Sequence, residues 1–100
     1  MRVPLSFIHT RTLPLSDIWT GPIQEMSIIS PHDNNCTIQV IIHHMLEEVY
    51  DTKIKIEKGT YQIPINEIKR WSTLSITVID NVRQSHEQPY EVVLDIQKLN

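Results

Sequence analysis

The sequence predicts an all-β protein, a small antiparallel β-sandwich of about seven strands that forms a single domain over residues 1–100. Composition is the first indication: the chain has 16 isoleucines, 7 valines and 8 threonines but no alanine. β-Branched side chains fit the pleated surface of a sheet, whereas alanine is the best helix former. Apolar and polar residues also alternate in short segments that turn signals separate, which is typical of a sandwich.

The alternation places the predicted strands at residues 2–8, 24–30, 36–45, 53–57, 60–65, 74–79 and 90–96. The clearest of them, 36–45, has Cys36, Ile38, Val40 and Ile42 on its inward face. This follows because successive side chains of a strand point to opposite faces. Pro4 and Pro64 cannot donate a backbone hydrogen bond, so their strands are predicted to lie at sheet edges.

The segments between the strands are predicted to be connections. They are an irregular stretch at 9–22, a tight turn at 31–35, a hairpin loop or strand start at 46–49, a short helical turn near 66–71 and a polar, mobile loop at 80–89. The irregular stretch contains a short turn near 15–19, and Trp19 is expected to close one end of the core. A small α+β fold with a helix at 66–73 or 43–51 is the alternative.

Charge and residue counts exclude several classes of function. A net charge of -3 argues against broad nucleic-acid binding, which needs a basic face. One cysteine excludes an internal disulfide, and two glycines exclude a glycine-rich phosphate loop. The chain has no apolar run of about 20 residues and no signal-peptide layout at its N-terminus. The sequence therefore predicts neither a membrane-spanning segment nor a signal peptide.

The histidines do not predict a metal site. His43 and His44 are adjacent, so on a strand they point to opposite faces and cannot bind one ion together. Each would need a distant partner such as His9, His32 or His86. We expect one of the adjacent pair to be exposed and the other half-buried at a strand end. No metal and no cofactor are predicted.

Candidate catalytic groups are equally poor. Ser30, His32 and Asp33 lie close in sequence but lack the sharp glycine-flanked turn that a serine nucleophile needs. Cys36 falls on an inward face, where a buried thiol is inert. The acidic group Glu47, Glu48 and Asp51 lacks the ligand spacing of a calcium loop and is predicted to be a solvated surface. We therefore predict a protein that is not an enzyme.

One segment resembles a known class of domains. The stretch KGTYQIPINEI at residues 58–68, followed by LSITVID at 74–80, has a turn glycine, a strand ending in an Ile-Pro step, a helical turn and an alternating strand. It resembles the N-terminal sandwich domains of baseplate upper proteins and similar immunoglobulin-like or fibronectin-like modules of bacteriophage virions. The resemblance covers residues 58–80 and implies a structural virion component: tail, baseplate, connector or capsid decoration. We therefore expect the chain in a virion or in the host cytoplasm.

The sequence thus favours a module that works through protein–protein contacts. One alternative is a small phage- or plasmid-encoded inhibitor of a host protein. A second is a carbohydrate-binding sandwich, for which Trp19, Trp71 and Tyr50 are the candidates, although we expect both tryptophans to be largely buried.

Five apolar residues fall on the outward side of their predicted strands. They are Ile8, Ile29, Ile41, Ile79 and Val93. A cluster of such residues on a surface marks a protein contact. We expect these five to form an interface with other virion proteins or with copies of the chain, giving a homo-oligomer.

Overall fold

The protein consists of eight β-strands and one turn of 3-10 helix in the part of the chain that the structure describes. The computed structural model describes residues 1–18, 21, 23–33, 36–64, 68–81 and 89–98. The strands are β1 (Arg2–Phe7), β2 (Thr10–Pro14), β3 (Ile23–Ser30), β4 (Cys36–His44), β5 (Glu47–Ile56), β6 (Gly59–Ile63), β7 (Ser72–Asn81) and β8 (Tyr90–Lys98). The 3-10 turn is Leu15–Asp17. The all-β prediction is confirmed.

The strands form two four-stranded antiparallel sheets. Sheet 1 has the order β1-β8-β3-β6 and sheet 2 the order β2-β7-β4-β5. The pairs β1–β8, β2–β7, β3–β6 and β4–β5 join the chain as one long hairpin folded at the β4–β5 turn. Two further pairs, β3–β8 and β4–β7, complete the sheets. This pairing is that of an eight-stranded jelly roll. It differs from the immunoglobulin order, in which the first two strands share a sheet.

Alternating residues of both sheets meet in one apolar core. Val40, Ile63 and Ile76 all lie in it, as their alternation predicts, with 0%, 3% and 0% of their surface exposed. The inward residues predicted for the clearest strand are all buried, including the free thiol of Cys36. Phe7 and Tyr90 are partners in the β1–β8 register, and their rings lie 6.0 Å apart in the core. A fully buried isoleucine contributes about 1.5–3 kcal/mol, so this core supplies the main favourable free energy of folding.

Three local predictions differ from the structure. Residues 10–14, expected to be irregular, form β2, and β5 begins at Glu47, six residues before the predicted strand. Residues 68–71 are not helical. Ile68 makes an isolated bridge to Ile23. A turn follows, which is closed by a hydrogen bond from Ser72 N to Lys69 O at 3.1 Å. Residues 65–67, which belong to the predicted strand and helical turn, lie outside the described residues, as do 34–35 and 82–88. The alternative helix at 43–51 is excluded, because β4 and β5 occupy that range.

The four edge strands differ in proline content and in length. The edges of sheet 1 are β1 and β6, and those of sheet 2 are β2 and β5. Pro4 lies within β1, Pro14 ends β2 and Pro64 directly follows β6, so the predicted edge positions of Pro4 and Pro64 are confirmed. β5 contains no proline and has ten residues, against five or six in the other edge strands.

Candidate protein-binding end of sheet 2

The β4–β5 hairpin ends in a turn of two apolar residues. His44 pairs with Glu47, which leaves Met45 and Leu46 as the connection. Met45 has a φ of 58°, in the left-handed region that two-residue hairpin turns normally fill with glycine or asparagine. A side chain in that conformation costs about 1–2 kcal/mol. The local sequence therefore retains a bulky apolar residue at a position where glycine would relieve strain.

Exposed apolar side chains gather at this turn. Leu46 is fully exposed at 102%, Met45 is 77% exposed and Val49 49%. Trp71, 63% exposed, precedes Ser72, which is the partner of His44 in the β4–β7 register. The tryptophan therefore lies beside the hairpin turn. We call Met45, Leu46, Val49 and Trp71 together the apolar end; they are four of the six large apolar residues that are exposed within the described part of the chain.

A β-bulge accounts for the exposure of Val49. Ile42 pairs with Tyr50 and His43 with Glu48, so Val49 is an extra residue without a partner on β4. Bulges change the direction of a side chain and often occur next to functional sites. Here the bulge leaves Val49 near the turn and half exposed. It joins the apolar end instead of the core.

Charged groups surround the apolar end. The guanidinium carbon of Arg70 lies 5.2 Å from the centre of the Trp71 ring, within the range of a cation–π contact. Glu47 and Glu48 are exposed on the first two positions of β5. The end therefore has an apolar centre and a charged border, an arrangement that protein interfaces commonly show.

The two adjacent histidines lie at the base of this hairpin. Both are half-buried, so the prediction that one would be exposed is wrong. They are consecutive on β4 and therefore point to opposite faces. The Nδ1 atom of His44 is buried and has no hydrogen-bond partner among the described residues. Within that same part of the chain, no group of three or more His, Cys, Asp or Glu side chains could hold a metal ion.

Two of the catalytic candidates, Ser30 and Cys36, are buried. Ser30 is 1% exposed, and its Oγ donates a hydrogen bond to the main-chain oxygen of His32 at 2.6 Å. Its hydroxyl proton is thus held by the turn. Cys36 is 3% exposed in the core. In the acidic group, Asp51 accepts a hydrogen bond from Gln39 Nε2 at 3.0 Å across the β4–β5 pair.

The five residues predicted to form an interface lie in several places. Ile29 and Val93 are partners in the β3–β8 register, and Pro4 continues the row on β1. A cavity of about 250 Å³ adjoins Val93 and Pro4 on this outer face of sheet 1. The structure brings these two predicted residues together. Both are half-buried, so this part of the surface is less exposed than the apolar end.

The other three predicted residues are separated from that row. Ile41 lies on the outer face of sheet 2, where its partners are Asp51 and Ser75. Ile8 occupies the bend between β1 and β2. Ile79 is 44% exposed in β7, at a shift in the register with β4. An interface through these residues stays a prediction, and it would need contacts on both sheets.

The candidate aromatic residues also differ from expectation. Trp71 is 63% exposed, so the prediction that it would be largely buried is wrong. Trp19 lies outside the described residues. Tyr50 is half-buried against the core. The sequence signal for the apolar end is the pair Met45-Leu46, because it stands between two alternating segments, where polar turn residues are expected.

Comparisons with known proteins found no match: no family model, no curated protein and no solved structure matches the chain. The described residues also include no helix with the length and apolar character needed to span a bilayer. The site and the fold therefore define the protein's class by themselves, as an all-β domain with an exposed apolar end.

Proposed function

We propose that the protein is a non-enzymatic assembly module that binds another protein through the apolar end of sheet 2. The observation that carries the proposal is the gathering of Met45, Leu46, Val49 and Trp71, all about half exposed or more, at one end of the fold. Monomeric proteins rarely expose such residues together unless the surface binds something. Tryptophan and methionine are also enriched in protein interfaces.

The energetics of the turn support a binding role. Leu46 is fully exposed and contributes no burial to the core, and Met45 carries backbone strain that glycine would relieve. Folding alone therefore favours neither residue at its position. Backbone strain retained at an exposed site points to function. The four side chains together expose roughly the surface of three, so their burial against a partner would contribute about 4–9 kcal/mol before the cost of association, which is of similar size. The charged border is then needed for specificity and additional affinity.

The setting that we propose is a bacteriophage virion, as part of a tail, baseplate, connector or capsid decoration. The resemblance of residues 58–80 to sandwich modules of virion proteins is one support; it rests on the turn glycine and the two alternating strands of the segment, and not on an immunoglobulin strand order. The strand order is another, because jelly rolls are common in viral capsid subunits. Both are analogies at the level of fold, so the test has to address the site itself.

The experiment combines particle composition with a site-specific cross-linker. Particles purified from the source phage are analysed by quantitative mass spectrometry, and we expect the chain at a fixed ratio to known structural proteins. A photo-reactive amino acid at position 46 should then form an adduct with one particle protein. The same group at Lys58, in the turn at the opposite end of β5, is the matched control and should form none.

Substitutions at the apolar end should prevent incorporation. We expect Leu46→Asp and Trp71→Asp to lower the amount of chain in particles at least about tenfold, since each places a charge in the buried centre of a contact. Thr10→Asp, at an exposed position on β2, the opposite edge strand of sheet 2, should incorporate normally. Absence of the wild-type chain from particles refutes the virion setting and favours the inhibitor of a host protein. Normal incorporation of both variants refutes the binding site.

The exposure of Trp71 also favours a second candidate function, carbohydrate binding. Jelly-roll domains include lectins, and an exposed indole ring can pack against a sugar. In that case Trp71→Ala would abolish binding to a glycan array, whereas Leu46→Asp would leave it unchanged. The assembly role predicts no glycan binding by the wild type.

A further inference from the structure

The β5 edge of sheet 2 is the least protected edge of the fold. An exposed edge strand offers unpaired backbone N–H and C=O groups to another strand, and proteins block such edges with proline, short length or coverage. β1, β2 and β6 use proline and short length, but β5 uses neither. Within the described residues β4 is its sole pairing neighbour. Its remaining protection is charge and the bulge at Val49 near its start.

The charges of β5 are complementary to those of a second β5. Its first half carries Glu47, Glu48 and Asp51, and its second half carries Lys53 and Lys55. In an antiparallel pair of identical strands centred on Thr52, Asp51 of each copy lies opposite Lys53 of the other. Centring the pair on Asp51 or on Lys53 instead would place like charges directly opposite, which is destabilising. One register is therefore favoured.

The apolar residues of β5 fit the same register. Tyr50 and Ile54 are half-buried side chains that pack against the core from this edge. They share the inward face with Thr52, since their core-facing partners on β4 are Ile42, Ile38 and Val40. Pairing centred on Thr52 puts Tyr50 of one copy opposite Ile54 of the other. An aromatic residue opposite a β-branched one is a favourable cross-strand pair.

We propose that two copies of the chain pair antiparallel through their β5 edges, about a two-fold axis at Thr52, into one continuous sheet. The second copy is the occupant because Asp51 and Lys53 of one copy lie opposite Lys53 and Asp51 of the other, and a two-fold contact joins identical surfaces. The contact is centred on Thr52, six residues from Leu46, and it shares only Val49 with the apolar end. The pairing goes beyond the proposed function and does not depend on it.

The test is a charge swap read by sedimentation equilibrium of the full chain. We expect a wild-type dimer whose dissociation is measurable below about 500 µM, the range of a moderate contact. With Lys53→Glu alone, two carboxylates lie opposite each other at both 51–53 pairs of the dimer. With Asp51→Lys alone, two ammonium groups lie opposite each other at those pairs. Each should weaken the dimer about tenfold or more, because two attractive pairs become repulsive. The double variant Asp51→Lys with Lys53→Glu restores both pairs and should return to within about threefold of the wild type.

Controls separate pairing from general effects of charge and folding. Lys58→Glu makes the same change in charge in the exposed turn after β5 and should leave the dimer unchanged. Circular-dichroism melts confirm that each variant is folded, and Lys53→Gln replaces Lys53→Glu if the latter is not. A wild type that is monomeric at the highest concentration overturns the proposal. So does a single variant that dimerises normally, or a double variant that stays weak.

A cross-link tests the register directly. Residues opposite each other in an antiparallel pair have Cα atoms about 4.5–5.5 Å apart, which a disulfide can span. Thr52→Cys should therefore form a covalent dimer under mild oxidation. Thr60→Cys on the β6 edge is the matched control and should stay monomeric. The native Cys36 is buried and does not compete. Failure of Thr52→Cys to cross-link also overturns the proposal.

Discussion

Replacing Ile76 by alanine tests the register of the whole of sheet 2. The side chain is 0% exposed on β7, a central strand between β2 and β4. The change removes three carbon atoms, which corresponds to about 2.4 kcal/mol of transfer free energy, and it leaves a cavity that raises the cost to roughly 2–5 kcal/mol. A domain of this size has a free energy of unfolding of about 5–15 kcal/mol. The substitution should therefore remove a large part of it.

Urea denaturation followed by circular dichroism measures the change. A loss of about 3 kcal/mol corresponds to a fall in Tm of roughly 12–24 °C for a domain of this length. The matched control is Ile79→Ala, the same substitution three residues further along β7, where the side chain is 44% exposed. It should cost about 1 kcal/mol or less. A loss below about 0.5 kcal/mol for Ile76, or equal losses for both variants, would refute the register, because a shift by one residue exchanges the two faces.

Two further predictions concern the turn and metal binding. Met45→Gly should raise the free energy of unfolding by about 0.5–1 kcal/mol in urea denaturation, since glycine adopts a φ of 58° without strain; a loss of stability would contradict the strain argument. A chelator should leave the Tm unchanged, because the described residues contain no group of metal-ligating side chains; a fall of several degrees that zinc reverses would contradict this.

Most strands could be predicted from the alternation of apolar and polar residues, because burial of one face of a strand produces this two-residue period. Wherever one face packs on the core, as with Ile38 and Val40 on β4, the pattern in the sequence is the pattern of burial. β2 has a single buried residue, Leu13, and ends in proline, so it lacks that signal. Its strand conformation comes from pairing with β7, in which Thr10 lies opposite Thr77, more than sixty residues further along the chain. Sequence periodicity cannot reveal a partner so distant.

The apolar end was missed for a related reason. An apolar residue at the end of an alternating segment is normally interpreted as part of the strand, and the sequence predicts Met45 as the last residue of the strand at 36–45. Its exposure depends on where β4 and β5 pair, with the turn at Met45 and Leu46, and on the bulge at Val49. Trp71 joins them through the β4–β7 register. These features depend on pairing between strands, and the periodicity of a single strand gives no information about that pairing.

The position of β8 has a consequence for biosynthesis. It is the last of the eight strands in chain order, yet it lies inside sheet 1, between β1 and β3. Until it emerges from the ribosome, those two strands have no common neighbour, and each presents an open edge to other chains. Sheet 1 therefore assembles only after β8 has been synthesised. A nascent chain stalled before Tyr90 is expected to need chaperones and to aggregate more readily than one that is complete through Lys98.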